Sequence, residues 1–155
     1  RAYNFSGDSA YSGTADATTT AEAEKVIIFH VGRTEYYVNN QRLKMDAAPI
    51  IIEERTFLPI KYLANVIGAG LRWNQNEKKA TVIFKGRDIE LWIGKYTARV
   101  NGDPKPIDPQ NLNVKPLVIP PGRTMLPLRF ISENLGCKVE WNPTSREVKV
   151  TYPAP

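Results

Sequence analysis

Nine consecutive residues recur 68 positions apart. Arg55-Thr56-Phe57-Leu58-Pro59-Ile60-Lys61-Tyr62-Leu63 is matched by Arg123-Thr124-Met125-Leu126-Pro127-Leu128-Arg129-Phe130-Ile131, and the alignment continues without a gap to Phe84 and Tyr152. Eight of its 30 positions are identical, among them Gly68 with Gly136, Trp73-Asn74 with Trp141-Asn142 and Val82 with Val150. Upstream the match continues at an offset of 62: Gly32 falls on Gly94 and Val38-Asn39 on Val100-Asn101. The second copy therefore holds six extra residues between Gly102 and Gly122, where Pro104, Pro106, Pro109, Pro116, Pro120 and Pro121 gather. A repeat of this period is one supersecondary unit that cannot bury its apolar face alone. Two units, about 26–84 and 88–152, must share a core or pack closely.

The pattern inside each unit predicts its elements. Pro59 and Pro127 suit a helix start, where a missing N–H costs nothing. Ile60, Leu63, Ala64 and Ile67 keep the spacing of one buried helix face, and Leu128, Ile131 and Leu135 repeat it. Gly68 and Gly136 can take the left-handed conformation that ends a helix. Thr56 and Thr124 are candidate caps. Short strands surround the helices, with turns at Gly32-Arg33, Asn74 to Glu77, Lys85-Gly86, Asn101-Gly102 and Asn142 to Ser145. The expected fold class is α+β: antiparallel hairpins and sheets, one short helix per repeat, and two pseudo-equivalent units packed together.

Residues 1–24 differ in composition. Fifteen of the 24 are Ala, Gly, Ser or Thr, and Arg1 against Asp8, Asp16, Glu22 and Glu24 makes a net charge of −3. The segment reads as a linker or arm, with Tyr3, Phe5 and Tyr11 as its only large apolar groups. The chain carries +5 in total, so residues 25–155 carry +8. That excess is scattered among acids, as on a solvated surface, and it also attracts anionic polymers. No recognition helix or basic stripe supports nucleic-acid binding.

Several chemistries are excluded. One cysteine, Cys137, permits no internal disulfide and no Cys-rich zinc site, and one histidine, His30, permits no multi-histidine metal centre. Cys137 aligns with Ala69, the slot of a small buried residue, and His30 reads as structural. No acid–base carboxylate pair or phosphate loop stands out, so neither an enzyme activity nor a metal or cofactor is expected. No stretch reaches the ~20 apolar residues of a membrane span. No basic segment leading into an apolar core opens the chain, so no signal peptide is expected.

The candidate sites follow from the comparison between copies. Trp73 and Trp141 recur at equivalent strand positions; one reading is a pair of aromatic platforms for sugar rings, and the expected one is packing in the core. Arg55 and Arg123 are expected to fix their loops by bonding carbonyls or a carboxylate of the neighbouring repeat. Arg55, Thr56, Pro59, Gly68, Trp73, Arg123, Thr124, Pro127, Gly136 and Trp141 thus form a structural motif. Trp92 has no aromatic twin, since its counterpart is His30. With Tyr96, Arg33 and Arg99 it makes the candidate binding surface.

The Arg-Thr-x-Leu-Pro segments, the following Gly and Trp-Asn, and Val-Asn-Gly together resemble the copper amine oxidase N-terminal-like domain over about residues 26–152. Gly122 keeps that pattern before Arg123, and Glu54 departs from it before Arg55. In amine oxidases this domain is a non-catalytic stalk, and copper and the quinone cofactor sit elsewhere, so the resemblance brings no catalytic residue. It implies a non-catalytic accessory module of exported or surface-attached bacterial proteins, joined to catalytic or anchoring domains. The expected function is a stalk, or attachment to a cell-wall polysaccharide or anionic wall polymer, outside the cell or at its wall. The alternative is a protein-interaction module that self-associates through the N-terminal arm.

Overall fold

The computed structural model describes residues 24–120 and 122–155. The N-terminal arm, apart from its last residue, lies outside the described residues. In chain order the elements are β1 (Lys25–His30), β2 (Glu35–Val38), β3 (Gln41–Lys44), β4 (Ile50–Ile52), β5 (Arg55–Leu58), α1 (Lys61–Ile67), β6 (Gly70–Asn74) and β7 (Lys79–Phe84). Then follow β8 (Arg87–Trp92), β9 (Thr97–Val100), β10 (Asp103–Pro106), β11 (Leu117–Ile119), β12 (Arg123–Pro127), α2 (Leu128–Asn134), β13 (Lys138–Asn142) and β14 (Glu147–Tyr152). Antiparallel sheets dominate and two short helices complete an α+β fold.

Tight turns set the hairpins. Lys85-Gly86 joins β7 to β8 and Asn101-Gly102 joins β9 to β10, all four residues with positive φ. Such mirror-image turns match the right-handed twist of the flanking strands. In β7 every second residue is buried: Ala80, Val82 and Phe84.

The strands of the two halves interleave. One five-stranded sheet has the order β13-β14-β1-β2-β3, a second the order β10-β9-β8-β7-β6, and a four-stranded sheet the order β11-β12-β5-β4. Every sheet therefore takes strands from both halves of the chain. The registers correspond as well. His30 pairs with Glu147 in the first sheet, and Trp92, 62 residues after His30, pairs with Lys79, 68 before Glu147. In the central sheet Leu58 pairs with Leu126, its own counterpart.

The core runs through all three sheets. Phe29, Ile27, Val150, Ile89 and Leu91 come from the inner faces of the large sheets, Phe57, Leu58, Met125 and Leu126 from the central one, and Leu63 and Ile131 from the helices. The buried helix faces are those the spacing predicts. Gly68 caps α1 at φ 84°, ψ 23°.

Two expectations need correction. Thr56 and Thr124 do not cap the helices: both lie within strands, the N-cap positions are Ile60 and Pro127, and neither helix has a side-chain cap. Trp73 and Trp141 are not core residues, being 43% and 39% exposed. Their strands β6 and β13 are sheet edges. Trp73 pairs with buried Ala80 and Trp141 with buried Val148, so both indoles lie on the inward-facing side. At the edge, however, no further strand flanks them, and both stay partly exposed.

Candidate functional site

Two reciprocal ion pairs tie one half of the chain to the other. Arg55 Nε donates to Asp108 Oδ2 at 2.5 Å, and Arg55 Nη1 donates to the Glu54 carbonyl. Arg123 Nε lies 2.9 Å from Asp46 Oδ2. That second contact is Coulombic, because the Arg123 N–H is not aligned for a hydrogen bond. Asp46 and Asp108 stand 62 residues apart, so the partners correspond just as the arginines do. Both carboxyls sit below their ordinary pKa. The Tyr62 hydroxyl, Arg123 and Lys61 lower Asp46 against an opposing effect of burial. Burial pushes Asp108 up, but the Arg55 hydrogen bond and the Gln110 and Asn111 backbones outweigh it.

The proposed binding residues divide between two sheets. Trp92 ends β8 on the outer face of the second sheet, half-buried, with Lys79 Nζ and the Arg99 guanidinium carbon each 5.8 Å from its ring. Lys79 also bonds Glu90 at 2.8 Å, which raises its pKa. Exposed Tyr96 belongs to the following turn, where its carbonyl accepts from Ile107 N. Arg33 does not join them: it lies in the β1–β2 turn of the first sheet, at the position corresponding to Lys95.

The motif residues are scattered in role. Pro59 and Pro127 precede the helices, Gly68 and Gly136 follow them with positive φ, and Arg55 and Arg123 hold the inter-half contacts. His30 packs edge-on against Tyr37 and lies 3.8 Å from Glu147. Cys137 is buried, and burial pushes its thiol up to about 11.

A cleft of about 700 Å³ opens between α2, the strand edge at Trp141 and the insert of the second unit. Phe130 and Glu133 of α2, Trp141 of β13, Thr56 of β5, and Asp108 and Gln110 of the insert line it. The arginines pair with a carboxylate of the neighbouring repeat as expected, but neither this cleft nor the pairing of Asp46 and Asp108 with them was read from the sequence. The aspartates had a signal, since Asp46 and Asp108 coincide at the upstream offset.

Among the described residues no group of three or more His, Cys, Asp and Glu side chains could hold a metal ion. No helix among the described residues is long and apolar enough to cross a membrane.

Strands shared between halves, corresponding registers and reciprocal Arg–Asp pairs define a duplicated-motif α+β module. The model of the copper amine oxidase N-terminal domain family matches residues 4–69 and 37–150, and the chain belongs to that family. This family is a non-catalytic domain. No curated protein and no solved structure matches the chain.

Proposed function

We propose that this chain is a non-catalytic accessory module of the bacterial cell envelope. It holds neighbouring catalytic or anchoring domains as a stalk and binds an anionic or saccharide wall polymer on the outer face of its second sheet. The location outside the cell, at or near the wall, comes from the family resemblance. The stalk half is supported by the interleaved strands. Two pseudo-equivalent units, each completing the other's sheets, make a body that resists being pulled apart piece by piece.

The observation that carries the binding half is Trp92 with Lys79 and Arg99 over its ring. An accessible indole offers a flat apolar face to a sugar ring, and the adjacent cations attract phosphate or carboxylate groups. The experiment is retention on purified wall material at low salt, with and without its covalently attached anionic polymer. Retention should fall in Trp92→Ala and Arg99→Ala and weaken as salt rises. No retention of the unaltered chain would leave only the stalk role.

A further inference from the structure

We propose that the cleft beside Trp141 is a separate binding site for a neutral glycan. It takes from the envelope reading only the source of the glycan; the site rests on a difference between the two halves. In the first, α1 is tied to the Asp46 loop: Tyr62 Oη donates to Asp46 Oδ1 at 2.9 Å and accepts from Asp46 N at 3.0 Å, and Lys61 Nζ lies 3.8 Å from the same carboxylate. In the second half Phe130 replaces Tyr62 and has no hydroxyl to offer Asp108. Arg129 replaces Lys61 and pairs instead with Glu133 of its own helix at 3.1 Å. The tie is missing, and the extra residues of the insert hold the Asp108 loop as a wall. The cleft is the gap left between them, within the size range of small-ligand sites.

The groups facing this gap select the ligand. Trp73 Nε1 donates to Gln75 Oε1, whereas Pro143 stands in place of Gln75 beside Trp141. Among the described residues the Trp141 N–H has no partner, and neither do the Thr56 hydroxyl, the Gln110 side-chain amide or the Glu54 carboxylate. These supply donors and acceptors beside a half-exposed indole, the combination a pyranose meets with its hydroxyls and its C–H face. The charges disfavour an anion. Arg55 and Arg129 are already paired, and Glu54, Asp108 and Glu133 make three carboxylates against two guanidiniums. The Trp92 face has the opposite bias, so the two sites discriminate by charge.

The test is calorimetric titration of the full chain with chitotetraose, cellotetraose and maltotetraose. At least one should bind saturably. Trp141→Ala should weaken it about tenfold, the scale of one aromatic contact, and Trp141→Phe should recover part of the loss. Phe130→Tyr should weaken it similarly, because the restored hydroxyl can reach Asp108 and close the mouth. Trp92→Ala should lower retention on wall material, and Trp141→Ala should lower oligosaccharide affinity by the same factor in the Trp92→Ala background as in the parent, so the two sites fail independently. Saturation by none of the three sugars overturns the inference, as does unaltered affinity in folded Trp141→Ala. Should Phe130→Tyr not fold, the exposed edge residue Trp141 decides alone.

Discussion

Leu58 and Leu126 are direct register partners across the β5–β12 pair, and each is the other's counterpart 68 residues away. Phe84 and Tyr152, also 68 apart, meet edge to face with ring centroids 5.4 Å apart. A position that touches its own counterpart is what a two-fold relationship requires, as at an isologous interface between subunits. Here both copies lie in one chain. The contact joins the two halves and should be as sensitive as any core position. Leu58→Ala and Leu126→Ala should each cost about 2–5 kcal/mol. Because the residues adjoin, the double variant should depart from the sum of the singles. Urea unfolding followed by fluorescence and by circular dichroism should give coincident single transitions. Separate transitions for the two halves would contradict the shared core.

The Arg–Asp pairs make stability depend on acid. Asp46 and Asp108 have folded pKa values below the ordinary value of ~3.9. Their contribution is therefore fully present above that value and is lost as pH falls through the lowered folded values. Asp108 is the better shielded, with its side chain 15% exposed against 37% for Asp46. Asp108→Asn should cost about 1–3 kcal/mol at neutral pH, the scale of a hydrogen bond to a charged group. Asp46→Asn should cost less, since its ion pairs are better screened. Thermal melts at decreasing pH should show the variants converging on the parent below the acid transition. Parallel curves at all pH values would remove the carboxylates from the account.

What could be read from the sequence was largely what is local. The helix faces and the stop at Gly68 follow from spacing within seven or eight residues, and the Lys85-Gly86 and Asn101-Gly102 turns declare themselves by residue type. Strand partnership is not local. Nothing near Val148 says that β14 lies beside β1, with Val148 opposite Phe29, 119 residues earlier, so the interleaving of halves needed the structure. The tryptophans show a second limit. Recurrence at Trp73 and Trp141 marks an inward-facing register correctly, but burial also depends on whether the strand lies at a sheet edge. The cleft shows a third: it comes from the loss of one hydroxyl, Tyr62 to Phe130, whose importance is visible only when Asp46 is seen to receive it.

Cys137 should be chemically silent in the folded protein. Its side chain is buried beside Gly136 and its thiol is pushed up to about 11 by burial alone. Both factors suppress the thiolate, which is the reacting form. At mildly alkaline pH, modification by an aromatic disulfide reagent should be at least about a hundredfold slower than in denaturant. Its rate should follow global unfolding as denaturant is added. Rapid labelling of the native chain would mean that the turn after α2 opens locally. Cys137→Ala places the residue found at Ala69 into the slot and should cost about 1 kcal/mol or less.

Ser132 supplies the opposite kind of prediction, a substitution that stabilises. It is fully buried in α2, and its Oγ has no hydrogen-bond partner among the described residues. A buried hydroxyl without a partner costs about 1–3 kcal/mol in lost hydration. Its counterpart in α1 is Ala64, also buried, which satisfies the same helix–sheet contact with no polar atom. Alanine is in addition the better helix former, by about half a kcal/mol. Ser132→Ala should therefore raise the stability by about 1–2 kcal/mol, seen as a higher melting temperature and urea midpoint with an unchanged slope. It should leave retention on wall material and oligosaccharide affinity as they are, since the residue faces the core and lines neither site. A loss of stability would mean that the hydroxyl is satisfied by a buried water.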